Sequence, residues 1–256
     1  MRGLQSAVAF LTIIPAAGRG GAAALGGGAG LAWYGVAGAL IGGLLAAVAA
    51  GAWELWPGAV AGAVVLAVWT IATGALHLDG LADTADAAFA PVDRERRQAI
   101  LRDVHHGTFG ITAIAVVLIL KFSVLASAGK AEAASLVLIA TVTGRAAIVP
   151  VLRLGTPARP DGMGHAVHAQ ATIPAVAFNL ATVAGVGLVA GGWPGLAIAA
   201  GGLALGGLSS TWCAGRFGGL SGDLLGAAVE IVETGVLLAG AAWIGHGFDP
   251  FPWVGG

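Results

Sequence analysis

Long apolar runs separated by short polar stretches make up most of this chain. A helix that crosses a bilayer needs about 20 consecutive apolar residues. Seven segments reach that length, at 29–52, 58–76, 108–128, 133–152, 173–191, 195–213 and 224–246. They predict an all-α fold, a polytopic transmembrane helical bundle of about seven spans. Residues 4–15 are too short to cross and predict an interfacial or re-entrant helix stopped at Pro15. Residues 16–28 form a connector rich in Gly and Ala that carries Arg19. No soluble domain and no internal repeat stands out, so 1–256 reads as a single integral membrane domain.

The longest polar interruption, 77–109, has a pattern of its own. Asp93, after Pro91, predicts an N-cap, and Glu95 falls in the first turn. Ile100, Leu101 and Val104 form an apolar stripe, with Arg94, Arg97 and Arg102 largely elsewhere. This predicts an amphipathic helix lying on the membrane surface or against the bundle.

Composition strengthens the membrane reading. Charged residues are 10% of the 256 and hydrophobic residues 57%, against about 25% charged in a soluble domain. A net charge of −1 leaves no electrostatic footprint for a nucleic-acid partner. The single cysteine, Cys213, lies in an apolar run and reads as an inert buried thiol. The N-terminus lacks a convincing cleavage site and reads as retained. The 44 glycines suit close helix packing in lipid.

Basic residues give an orientation. With the N-terminus cytoplasmic, Arg2, Arg19, Arg94, Arg96, Arg97, Arg102, Arg153, Arg159 and Arg216 fall on the cytoplasmic side, and only Lys130 on the other. Lys121 and Arg145 fall inside spans. The 77–109 segment and the loops at 153–172 and 214–223 then share one side, that of a bacterial cytoplasmic (inner) membrane.

The densest chemistry is His77-Leu78-Asp79-Gly80-Leu81-Ala82-Asp83-Thr84-Ala85-Asp86. Asp79, Asp83 and Asp86 are spaced i, i+4, i+7, which lines them on one helix face. Three like charges on one stripe weaken a helix unless a cation sits among them. Ligands that are carboxylates alone favour a hard ion such as Mg2+ over zinc. The stripe therefore reads as a metal–diphosphate platform, against a plain solvated acidic loop.

Other groups add to it. Asp103, in Arg102-Asp103, is a candidate fourth metal ligand or an orienter of His105 or His106; the alternative is a surface helix ending in basic residues. Arg145 lies roughly 10 Å inside the fourth span, and Glu230 is about as deep in the seventh. Glu233 follows at i+3 and Asp223 precedes Glu230 at i−7, on one stripe. Depth matching predicts that Arg145, Glu230 and Glu233 line a polar cavity opening inward, against a buried ion pair that only fixes register. Phe217-Gly218-Gly219-Leu220-Ser221-Gly222-Asp223 is a Gly-rich turn into a helix start, where backbone N–H groups can hold phosphate. It is not a Walker A motif. His165 and His168, near Arg159 and Asp161, read as a polar loop contacting substrate. His246 reads as interfacial. Trp33, Tyr34, Trp53, Trp56 and Trp243 read as an aromatic belt.

The decad from His77 to Asp86 closely resembles the hallmark of the cobalamin synthase family, the adenosylcobinamide-GDP ribazoletransferases. Arg102-Asp103 with Gly107-Thr108 and Gly110 resembles the family's second motif. Gly218 to Asp223, followed by Gly226-Ala227 and Glu230, is similar to its C-terminal motif, and Leu11 to Pro15 resembles its N-terminal signature. The order and spacing hold over nearly the whole chain. Two departures stand out. Val104-His105 replaces the family's Ser-Arg, and Tyr34-Gly35 replaces its Phe-Pro. The first removes an arginine contact to phosphate, for which His105 or His106 is a candidate replacement with a pH-dependent charge.

The resemblance implies a Mg2+-dependent transferase. It joins adenosylcobinamide-GDP to alpha-ribazole, or its 5′-phosphate, giving adenosylcobalamin, or its 5′-phosphate, and GMP. The implied metal ligands are Asp79, Asp83, Asp86 and Asp103. Arg102, His105, Gly219, Ser221, Gly222, Asp223, Glu230 and Glu233 are the implied substrate contacts, and Arg145 stabilises non-bridging oxygens. The ribazole 3′-hydroxyl attacks the phosphate on cobinamide, and a carboxylate or His77 takes its proton, with Asp86 the preferred base. Changing any one of the three stripe aspartates to Asn is expected to abolish turnover without unfolding. The expected partners are these small molecules and the lipid bilayer, with a homo-oligomer or a complex with other cobalamin-assembly enzymes left open. Two competing readings remain. A CDP-alcohol phosphotransferase needs an Ala-Arg after Asp-Gly, where this chain has Ala82-Asp83. A corrinoid or ion transporter would place charge toward both faces.

Overall fold

The computed structural model describes residues 2–14, 28–101, 105, 107–158, 168, 170–244, 246 and 250–251. Among them the regular elements are helical. They are α1 (Arg2–Leu11), a 3-10 turn (Gly28–Trp33), α2 (Tyr34–Leu55), α3 (Gly58–Ala72), α4 (Leu76–Phe89), α5 (Arg94–Ile100), α6 (Thr108–Ser127), α7 (Lys130–Leu154), α8 (Ile173–Phe217) and α9 (Gly222–Ile244).

Helix α7 is the centre of the bundle. Seventeen of its 25 residues are buried, so it has almost no face left for lipid. It packs on α2, α8 and α9. Helix α6 is peripheral, with Gly110, Lys121, Val124 and Leu125 as its buried residues. The short α1 buries Ala7 and Leu11 and leans on the 3-10 turn, as an interfacial helix would. Asn179 of α8 binds the start of α2 through Gly35 N at 2.7 Å and the carbonyls of Leu31 and Ala32.

Five helices are long and apolar enough to cross a membrane, or six if α3 and α4 together form one span. Two expected segments change shape. The span expected at 58–76 stops at Ala72, and the chain bends by 85° into α4. The bend has local causes. Thr73 Oγ1 bonds back to the Trp69 and Thr70 carbonyls, and Gly74 and Ala75 both take left-handed φ, +60° and +55°. At 15 residues α3 is only about 22 Å long, short of a bilayer core of about 30 Å.

The segments expected at 173–191 and 195–213 both lie within α8. It breaks at Gly192 (φ +59°, ψ −149°), a conformation open to glycine because it lacks a Cβ. The two arms double back, so that a Cβ added to Gly187 would lie 3.1 Å from the Gly195 carbonyl oxygen.

The two ends of the bundle differ in polarity. At one end, Lys130 of α7 pairs with Glu54 of α2 at 2.6 Å. At the other, the end of α7 meets the start of α9, where Leu220 N donates to Thr156 O and Ala158 N to Leu220 O. Helices α4 and α5 and the C-terminus of α8 gather at this second end around a small core of Ala87, Ala88, Cys213, Phe217 and Leu224.

Candidate active site

Helix α4 carries the acidic stripe, and all three aspartates lie on this one helix. Nine of its 14 residues are buried, mostly small ones. Asp79 is exposed, and Asp83 and Asp86 are half-buried. The polar face is thus the open face of a helix otherwise enclosed by its neighbours. Close packing makes this arrangement. Gly80 lies against the Asp223 backbone, where an added Cβ would be 2.8 Å from the carbonyl oxygen, and Gly226 faces Gly80 from α9. Asp223 is thereby brought beside Asp79, close enough for the two carboxylates to interact.

Asp86 has a role that the spacing did not indicate. Its Oδ2 accepts from Gly107 N at 2.6 Å and its Oδ1 from Gly110 N at 2.9 Å. It caps the N-terminus of α6 from a different helix, satisfying amides that have no partner within their own helix. This separates Asp86 from Asp79 and Asp83 and does not favour it as the base, because both of its oxygens already accept bonds. Asp86→Ala is expected to lower unfolding free energy by about 1–3 kcal/mol. Thermal unfolding in detergent checks this.

The deep polar groups form a closed network. Lys121 of α6 donates to Glu230 at 2.7 Å and to Glu233 at 2.5 Å. Arg145 pairs with Glu233, and its Nη2 lies 3.5 Å from His77 Nδ1. All five side chains are buried. Lys121 also sits over the Trp69 ring, 4.4 Å from its centre. Two cations and two carboxylates balance, as buried charges must. The inward-opening cavity expected from depth matching is therefore a neutral, packed cluster. Arg145, Glu230 and Glu233 face one another rather than the outside. His77 points into this cluster, away from the open aspartates, so it does not suit a proton acceptor for substrate. Lys121 is the member that sequence reading missed, although a lysine inside an apolar span is itself a signal.

The glycine-rich turn is also more occupied than expected. Gly218 and Gly219 adopt φ of +85° and +143° and both donate to Ala214 O, closing the end of α8. With Leu220 N held by Thr156 O, the amides of 218–220 are engaged, so Gly219 does not offer its N–H to phosphate. Ser221 caps α9, its Oγ accepting from Leu224 N at 3.3 Å. The exposed Gly222 and half-buried Asp223 begin the helix beside Asp79.

Cations surround this end. The Arg94 guanidinium lies against Gly218. Arg97 donates to the carbonyls of Ala87 and Ala88, and Arg216 to that of Ala88, closing the C-terminus of α4. Gln98 reaches Phe217 O at 2.8 Å. Asp93 caps α5 as its sequence predicts, accepting from Arg96 N. His105 is exposed. Arg102, Asp103, His106 and His165 lie outside the described residues.

The fold and this end of it define an integral membrane helical bundle with an acidic, arginine-flanked site at one pole. A family model for cobalamin-5-phosphate synthase matches residues 3–241, and the chain belongs to that family. It is an enzyme of cobalamin biosynthesis. It is similar to the adenosylcobinamide-GDP ribazoletransferase of Roseiflexus sp. (strain RS-1), 36% identical over 230 residues, which is 90% of this chain and 85% of that protein. It is also similar to the adenosylcobinamide-GDP ribazoletransferase of Pseudomonas aeruginosa (strain PAO1), 38% identical over 208 residues, 80% of this chain and 84% of that one. No solved structure matches the chain.

Proposed function

We propose that this chain is a Mg2+-dependent transferase that joins adenosylcobinamide-GDP to alpha-ribazole, or its 5′-phosphate. The products are adenosylcobalamin, or its 5′-phosphate, and GMP. The observation that carries the reading is the open acidic face of α4, with Asp79 and Asp83 one turn apart on a helix whose other faces are buried. The relatives' names supply the substrate class.

The donors suit Mg2+. They are hard oxygens, and Mg2+ is usually held by one or two carboxylates together with substrate phosphates. Among the described residues no group of three His, Cys, Asp or Glu side chains is placed to hold a metal alone. Asp79 and Asp83 would hold the ion, and the diphosphate would complete its shell. Bound there, Mg2+ supplies neutralisation of charge on the diphosphate and the departing GMP.

The chain's own groups do the rest. The 3′-hydroxyl oxygen of ribazole bonds to the phosphorus on cobinamide as the bond from that phosphorus to the GMP oxygen breaks. The hydroxyl proton passes to Asp223, the carboxylate of this face that remains once Asp79 and Asp83 hold the ion. Arg94, exposed against Gly218, binds non-bridging oxygens in place of the enclosed Arg145. Lys121, Arg145, Glu230, Glu233 and His77 fix α4, α6, α7 and α9 in register beneath the site. The basic residues at this pole orient it to the cytoplasmic side of a bacterial inner membrane.

Detergent-purified protein given both substrates is expected to release GMP with Mg2+ present and to stop when the ion is chelated. Release that continues unchanged with chelator would overturn the metal reading. No release under any condition, from folded protein, would overturn the activity.

A further inference from the structure

Three exposed aromatic rings stand at the end of the acidic stripe. Phe89 lies 5.9 Å from Phe109 and 6.3 Å from Trp212, centre to centre. The rings are 60%, 49% and 49% exposed, respectively. Three helices deliver them. Phe89 ends α4, Phe109 begins α6 and Trp212 lies near the end of α8. Asp86 ties the first two to the site. It precedes Phe89 by three residues, on the neighbouring turn of one face, and it holds the amides of Gly107 and Gly110 that flank Phe109. Arg216 lies 5.0 Å from the Trp212 ring centre while donating to Ala88 O, which holds that ring in place.

We propose that Phe89, Phe109 and Trp212 form the subsite for the planar aromatic base of the incoming nucleoside, ribazole, resting on the transferase reading above. The base stacks on the rings and its ribose reaches back along α4 toward Asp83 and Asp79. The chemistry of the platform chooses between the two bases the reaction brings. Guanine is recognised through hydrogen bonds to its edge, whereas Arg216, the arginine over the Trp212 ring, already donates to the Ala88 carbonyl. A benzimidazole has an apolar benzo edge with no exocyclic donor, and an aromatic platform serves it by stacking.

The test measures binding and turnover separately. Equilibrium dialysis of fluorescent alpha-ribazole uses intact protein in detergent and in lipid nanodiscs, for the wild type, Phe89→Ala, Trp212→Ala and Trp212→Phe. Both Ala variants are expected to weaken alpha-ribazole binding by roughly tenfold or more, and Trp212→Phe to restore most of it. In turnover, KM for alpha-ribazole should rise with KM for adenosylcobinamide-GDP unchanged. Unaltered alpha-ribazole binding in folded Ala variants would overturn the subsite. So would a rise confined to KM for adenosylcobinamide-GDP, which would place guanine on the rings. Loss in nanodiscs alone would also overturn it, by making the rings a lipid anchor. Wild-type protein that neither binds alpha-ribazole nor releases GMP would instead overturn the transferase reading itself.

Discussion

Asp83→Asn is expected to lower GMP release by roughly a thousandfold, about 4 kcal/mol of transition-state stabilisation, with no loss of fold. Asn has nearly the shape of Asp, and position 83 is the middle of the stripe, half-buried between Asp79 and Asp86. On the proposed function, the change removes one of the two carboxylates that would hold Mg2+ where the diphosphate is neutralised. Losing one of three like charges on a helix face relieves repulsion. The unfolding temperature should therefore stay level or rise while activity falls. A residue with a purely structural role would show the opposite pairing. Wild-type turnover by Asp83→Asn would remove Asp83 from the proposed metal site. GMP release against Mg2+ concentration, with thermal unfolding of the same sample, measures both.

Lys121→Met is expected to destabilise the protein by about 3–5 kcal/mol. Lys121 is paired with both buried glutamates, Glu230 at 2.7 Å and Glu233 at 2.5 Å. Without it, Glu230 loses its ion-pair partner inside the bundle and Glu233 keeps Arg145. The cost comes from the stranded charge more than from a lost attraction. The double variant Lys121→Met with Glu230→Gln restores the balance and should recover most of the loss. Thermal unfolding and the yield of monodisperse protein in detergent measure this. Lys121→Met unfolding like the wild type would mean that water reaches the network.

Periodicity carried much of the architecture. Apolar runs of bilayer length marked the crossing helices, because lipid leaves backbone groups no partner outside the helix. The i, i+4, i+7 spacing placed Asp79, Asp83 and Asp86 on one helix, and the Asp93 cap of α5 followed from local chemistry. Depth counting placed Arg145, Glu230 and Glu233 at one level of the bundle.

What a counted depth or spacing lacks is a partner. The bend at 73–75 and the break at Gly192 depend on left-handed backbone that an apolar run hides. Only packing could show that Lys121, from a helix 109 residues away in sequence from Glu230, closes the network and shuts the expected cavity. Only packing could show that the Asp86 oxygens reach Gly107 and Gly110, and that the amides of 218–220 are taken by Ala214 and Thr156. The sequence by itself determined which residues could bear charge and which helix face they share, since those follow from side-chain type and the 3.6-residue turn. The tertiary structure decided which of those charges stay at the surface of the bundle and which are neutralised inside, because that depends on what another helix brings within hydrogen-bond reach.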